Sequence, residues 1–185
     1  MTVILASQSP RRRELLHWLI ADFTVQPADI DEEVKEQYAP VEYVMEMARQ
    51  KAAVVAADQP EALVIASDTV VVLDDQILGK PKSREEAFGM LRDMSDGNHL
   101  VYTSVVIRQG GKTAEKLTSA KVTFYPLTDE EINRYLDSDD YKDKAGAYGI
   151  QNGAGVFVEK IEGDYYSIVG FPVGAVNQML KDFEY

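Results

Sequence analysis

A mixed α/β fold built around one twisted sheet is the class that this 185-residue sequence predicts. Three observations carry the prediction. Strand-length apolar runs alternate with segments of helical period through the first half of the chain. Paired strand-like runs joined by short turns fill the second half. With 45% hydrophobic and 27% charged residues and no low-complexity tract, the composition suffices for one packed core. Residues 1–185 are therefore expected to form a single domain, without an internal repeat.

The elements follow in order. Val3–Ala6 reads as a short buried strand. Ser9 is placed to cap a helix with Pro10 at its first position, where the missing N–H is harmless, and Leu15, Trp18 and Leu19 recur at helical spacing. Phe23–Gln26 reads as a second strand, followed by the acidic loop "ADIDEEV". Pro40 opens a longer helix whose stripe of Val41, Val44, Met45, Ala48, Ala52 and Val55 keeps the 3.6-residue period. Ala62–Ala66 is a third strand that ends at "SDT". Val70–Leu73 and Ile77–Leu78 then form a hairpin turning at Asp74-Asp75.

Ser83 and Glu86 have capping-box spacing ahead of a helix that turns Ala87, Met90, Leu91 and Met94 inward. His99–Ile107 and Lys116–Phe124 read as strands joined across Gly110-Gly111. A second capping box, Thr128 and Glu131, precedes a helix burying Ile132, Tyr135 and Leu136. Val156–Lys160 and Tyr166–Val169 are expected to pair across Glu162-Gly163, and Pro172 starts the last helix.

Composition also narrows the function classes. A net charge of −12 argues against general binding to nucleic acid or anionic membranes, since both need broad positive surfaces that displace counterions. A small polyanion stays open if some of the nineteen Lys and Arg residues gather locally. The absence of cysteine excludes disulfides and thiol nucleophiles, and His17 and His99 are too scattered for an imidazole metal cluster. Val3–Ala6 is too short for a signal-peptide core or a membrane span, so a soluble cytoplasmic protein is expected.

Several residues have the chemistry of a phosphate site. Arg11, Arg12 and Arg13 open the first helix, where the helix dipole disfavours cations by roughly 0.3–1 kcal/mol each and where anions bind readily. They are either solvated, pairing with Glu14 or the acidic loop, or they are ligands of an anion. Lys51 projects beside Val44, Ala48 and Val55, so its ammonium must snorkel outward or meet an anion. Lys80 and Lys82 flank Pro81 in a loop that is either plainly solvated or in contact with phosphate. Asp68 follows directly on the apolar Ala62–Ala66 strand, where a carboxylate either caps the turn, binds a metal ion or takes a proton from water. Glu32 and Glu33 offer further oxygen ligands or are surface residues. In "KAGAYGIQNGAG" Gln151 has an amide able to meet the edge of a base.

Six ordered segments tie these residues together: "LASQSPRRRELL" at 5–16, "RQKA" at 49–52, "SDTVV" at 67–71, "LGKP" at 78–81, "DKAGAYGIQ" at 143–151 and "GDYYSIVGFP" at 163–172. Together they resemble the Maf family of nucleoside triphosphate pyrophosphatases over nearly the whole chain, and "DKAGAYGIQ" looks like the branch acting on dTTP and UTP. The resemblance implies an elongated α/β fold with a central mixed sheet and a cleft between two lobes. It also implies hydrolysis between the α and β phosphates with Mg²⁺ or Mn²⁺, and, by family habit, a homodimer.

Carried over by position, Asp68 matches the family's proton acceptor, and Arg11, Thr69 and Gln151 match its specificity positions. Ser7, Arg12, Glu33, Lys51 and Lys80 match cleft residues assigned to phosphate or metal binding, with Glu33 and Asp68 as the expected metal ligands. The sequence departs from the family pattern at Ser67 for alanine, Asn152 for glycine and Phe171 for leucine. The alternative function is a non-catalytic, nucleotide-responsive regulator of cell division and septum formation that works through a protein partner.

Overall fold

The computed structural model describes residues 1–32 and 38–185. Its frame is one seven-stranded mixed sheet. The strands are β1 (Val3–Leu5), β2 (Thr24–Val25), β3 (Leu63–Leu73), β4 (Gln76–Leu78), β5 (Asn98–Gln109), β6 (Lys112–Phe124) and β7 (Val158–Gly163). They lie in the order β2-β1-β3-β5-β6-β7, with β4 on β3. β1 runs parallel to both β2 and β3, and every other pairing is antiparallel. Six helices flank the sheet: α1 (Pro10–His17), α2 (Pro40–Asp58), α3 (Arg84–Met94), α4 (Asp129–Leu136), α5 (Tyr165–Val169) and α6 (Val173–Leu180). None of the helices among the described residues is long and apolar enough to cross a membrane.

Local chemistry explains most boundaries. Ser9 caps α1, its hydroxyl accepting from the Arg12 N–H at 3.4 Å. Asp74 and Asp75 take the two positive-φ positions, 49° and 62°, of the tight turn between β3 and β4. The Thr128 and Glu131 box closes in both directions. At Ser83 only half of the expected box forms, because Glu86 reaches past the cap to the Lys82 N–H at 2.7 Å.

Three sequence expectations are corrected. The third strand does not stop at "SDT": β3 continues as one strand through Ser67, Asp68 and Thr69, which pair with Val105, Ser104 and Thr103 of β5. Tyr166–Val169 is not a strand but part of α5, because Asp164 caps Tyr166 N–H at 2.9 Å and Gly163, at φ +116°, turns the chain away from the sheet. β7 pairs with β6 instead. Trp18 lies past the end of α1 at 58% exposure, its ring edge-on to Tyr166, and Leu16 takes the buried position.

The core is divided. At one end α3, α4 and residues 141–157 close over Val71, Val101, Val122 and Phe124. At the other, Leu15, Leu16, Val169, Phe171 and Val176 pack on Leu5, Leu63 and Ile65, while Ala48, Ala52 and Val55 of α2 cover Val64 and Ala66 on the opposite face. Residues 67–69 of β3 lie between these clusters, and Ile150 touches both the first and the second.

Within the first cluster His99 is buried, its Nε2 2.6 Å from the Tyr148 hydroxyl and its ring edge-on to Phe124. Burial pushes its pKa down to about 4 from an ordinary 6.5. Between these values the unfolded chain binds the extra proton, so stability is intact above pH 6.5 and falls by up to ~3 kcal/mol as pH approaches 4. Replacing His99 by Phe should flatten that part of the stability curve, measured by urea unfolding at several pH values.

Candidate active site

The sheet itself leaves an opening. β1 pairs with β3 across Leu63–Ile65, and β4 pairs with the same edge across Val71–Leu73. Ser67–Val70 lie in the interval, where side chains from both faces of the sheet can meet. Alternation along the strand sends Asp68 to the α2 face and Ser67 and Thr69 to the α1 and α5 face.

On the α2 face, Lys51 is 7% exposed, and its ammonium stands 2.6 Å from Asp68 Oδ1 and 2.6 Å from Glu32 Oε1. The lysine that periodicity placed on the apolar side of its helix thus meets anions. Lys80 approaches the other oxygen of Glu32 at 3.5 Å from an exposed position. Burial alone would raise the Glu32 pKa, but the hydrogen bond and charge of Lys51, with those of Lys80, outweigh it and hold it below its ordinary 4.5. The Tyr43 hydroxyl donates to the Glu32 carbonyl at 2.6 Å, anchoring the acidic loop to α2. Burial and the charges of Asp68, Glu32 and Asp31 push that phenol upward, so it stays a donor.

On the other face Arg12 is the hub. Its Nε donates to the Gly170 carbonyl at 2.8 Å, Nη2 to Thr69 Oγ1 at 3.1 Å and Nη1 to Ser7 Oγ at 3.4 Å. Ser67 donates to the same Gly170 carbonyl at 3.1 Å. Thr103 gives its proton to the Ser167 carbonyl at 2.7 Å, so Thr69 is the donor in the 2.9 Å contact between their hydroxyls. A relay of donors thus runs from α1 through β3 and β5 to α5. Gly170 is needed at its left-handed φ of +106°, and a Cβ there would come within 3.2 Å of Thr69 Oγ1.

Burial lowers the Arg12 pKa, opposed by the negative charge of Asp68, and adjacent Arg11 lowers it further. Arg11 donates weakly to the Val169 carbonyl at 3.4 Å, and its burial is countered by the charge of Asp140. Arg13 is exposed. The arginines at the start of α1 therefore divide: Arg12 is held by carbonyl and hydroxyl acceptors, Arg11 makes one weak bond to a carbonyl within range of the Asp140 charge, and Arg13 is exposed.

Set against the sequence expectations, Ser7, Arg12, Lys51, Thr69 and Asp68 are brought together, with Lys80 at the margin. Asp68 is mid-strand rather than beyond a strand end. Gln151 is exposed on the turn 149–152, outside this group; its neighbour Asn152 donates to Asp140, whose charge acts on Arg11. Glu33 lies outside the described residues. Among the described residues, Glu32 is the carboxylate that shares the Lys51 ammonium with Asp68. Sequence reasoning gave no role to Ser67, Gly170, Tyr43 or Thr103; a local signal existed for Ser67 alone, in the hydroxyl residues that flank Asp68 within β3.

Among the described residues no group of three His, Cys, Asp or Glu side chains stands ready to hold a metal ion. Asp68 and Glu32 are hard oxygen donors of the type that takes Mg²⁺ or Mn²⁺ when phosphate oxygens and water complete the coordination. The donor chemistry thus fits an ion that is held jointly with a phosphate ligand.

Comparison with known proteins identifies the family of the chain. Residues 2–183 match the family described as Maf-like protein. A dTTP/UTP pyrophosphatase of Latilactobacillus sakei is 44% identical over 97% of this chain and 99% of its own length. The dTTP/UTP pyrophosphatase of Carboxydothermus hydrogenoformans is 46% identical over the full length of both. Among solved structures, the Staphylococcus aureus Ham1 protein overlaps 70% of this chain and 73% of its own at 17% identity with a TM-score of 0.47, a likeness too loose to add to the sequence match. With residues 2–183 matched to the family and full-length relatives 44–46% identical, the chain belongs to the Maf-like protein family.

Proposed function

We propose that this protein is a nucleoside triphosphate pyrophosphatase, hydrolysing dTTP and UTP to the nucleoside monophosphate and pyrophosphate, with residues 1–185 acting as one catalytic domain. The observation that carries the reading is the buried Lys51 ammonium shared by Asp68 and Glu32, with, on the other face of the same stretch of β3, an Arg12 guanidinium whose described contacts use three of its five N–H donors. The names of the full-length relatives support the substrate class.

In this reading Asp68 takes the proton from a water that attacks the α-phosphorus. The new P–O bond forms in line with the breaking bond to the bridging oxygen, and pyrophosphate departs with the bonding electrons. Arg12, Lys51 and Lys80 neutralise the charge that develops on the leaving group. Ser7 holds Arg12 in place and offers its hydroxyl to a phosphate oxygen. Arg11, Thr69 and Gln151 read the pyrimidine. Asp68, with Glu32 and the sequence-expected Glu33, would hold Mg²⁺ or Mn²⁺, which when bound supplies Lewis acidity and eases ionisation of water.

The test is a nucleotide panel assayed for pyrophosphate with Mg²⁺, and again with excess chelator. Equimolar pyrophosphate and monophosphate are expected from dTTP and UTP ahead of the purine triphosphates, with turnover lost in chelator. In ¹⁸O-water the label should enter the monophosphate. Tight nucleotide binding without turnover would replace the enzyme by the non-catalytic regulator.

A further inference from the structure

Gln151 rides on a four-residue turn, Gly149 to Asn152, closed by the Asn152 N–H donating to the Gly149 carbonyl at 3.2 Å. Both ends of that turn are fastened to one carboxylate. At the far end the Asn152 side-chain amide donates to Asp140 Oδ1 at 2.6 Å. At the near end the Gly149 N–H donates at 3.2 Å to the Tyr135 hydroxyl, which itself donates to Asp140 Oδ2 at 2.8 Å. Lys144 adds its ammonium to Asp140 Oδ1 at 3.0 Å and lies against Gly149 so closely that a Cβ there would meet Lys144 Cε at 2.7 Å.

The hub is rigidly backed. Tyr135 packs edge-on to Phe157, which packs on Phe124, which in turn meets Tyr148 and His99. Burial would raise the Asp140 pKa, yet the hydrogen bonds from Lys144, Tyr135 and Asn152 hold it below its ordinary value, so the hub keeps its charge. The same charge reaches Arg11 on α1. One carboxylate therefore anchors the turn that presents Gln151 and exerts its charge on Arg11, although the two residues come from opposite ends of the chain.

We propose that Asp140, through Asn152 and Tyr135, is a positioning residue for nucleotide selection: it pre-forms the Gln151 turn opposite Arg11, so that the amide meets the base already ordered. The proposal rests on the reading of Arg11 and Gln151 as the base readers. A turn ordered before binding spares the ligand the entropic cost of ordering it, which appears as a lower KM with little change in kcat. Asn152, where the family pattern has glycine, supplies a tie that glycine has no side chain to make.

The experiment compares Asn152→Ala, Gln151→Ala, the double variant and wild type on UTP and GTP with Mg²⁺. Asn152→Ala is expected to raise the KM for UTP about tenfold, leave kcat within about twofold, and narrow the UTP-to-GTP ratio of kcat/KM about fivefold. In the Gln151→Ala background it should narrow the ratio no further. Asp140→Asn is the second variant and should move KM in the same direction; thermal melts check that each variant folds. The proposal is overturned if Gln151→Ala changes the ratio while Asn152→Ala and Asp140→Asn do not. It is also overturned if Asn152→Ala acts equally with and without Gln151. If Gln151→Ala leaves the ratio at its wild-type value, base reading by Gln151 is itself overturned and positioning falls with it.

Discussion

Asp68→Asn is expected to lower pyrophosphate release from UTP by about 10²–10⁴-fold, the range over which a positioned general base contributes. Asparagine keeps the size of the side chain and leaves a carbonyl oxygen for the Lys51 hydrogen bond seen at 2.6 Å. What it loses is the negative charge, and with it the capacity to take a proton and part of the hold on a divalent ion. Nucleotide binding should therefore survive, measured by calorimetry with a non-hydrolysable UTP analogue, while kcat collapses. The pairing of β3 with β5 through Asp68 and Ser104 uses backbone groups only, so the sheet is undisturbed. An Asp68→Asn enzyme of undiminished kcat would remove this carboxylate from the chemistry.

Lys51→Met should damage both stability and turnover. The ammonium is the shared cation of two carboxylates, and Asp68 keeps only 13% of its side-chain surface, so methionine leaves an uncompensated and partly buried negative charge. Removing one partner of a buried pair costs about 3 kcal/mol, which for a domain of this size lowers Tm by roughly 6–12 °C. Loss of the cation beside the leaving phosphates should cost a further factor of about 10²–10³ in kcat.

A pH signature separates this effect from simple loss of packing. In the wild type the Glu32 pKa is held below 4.5, so its pairing stabilises the fold above that pH and is lost as pH falls through the depressed value. The variant lacks the partner chiefly responsible and should show less acid-side loss of stability. Equal slopes in both proteins on thermal melts below about pH 5 would mean that Lys51 does not hold Glu32 in solution.

What the sequence by itself determined was local. Ser9 and Pro10 start α1, Thr128 and Glu131 close a capping box, and the two aspartates at 74 and 75 turn a hairpin, because each feature is decided within a few residues. The helical period of α2 also exposed Lys51 as a cation on the wrong face, and the family motifs named Asp68, one of the two carboxylates that meet it. Elements whose fate depended on partners were not legible. The polar Ser67-Asp68-Thr69 looked like the end of a strand, yet β5 completes the backbone pairing and Gly170, Lys51 and Thr103 satisfy the side chains. Tyr-Tyr-Ser-Ile-Val has the composition of a strand and folds as a helix, between the Asp164 cap and a left-handed Gly170.

Only the tertiary structure decided that Arg12 reaches Gly170 across 158 positions and that Lys51 sits between Asp68 and Glu32. It also decided that Asp140 holds Asn152 while its charge acts on Arg11. Propensity and capping act over one or two turns of chain. A buried charge is stable only where distant segments supply its counter-charges and donors, and that supply exists only once the sheet has brought them together.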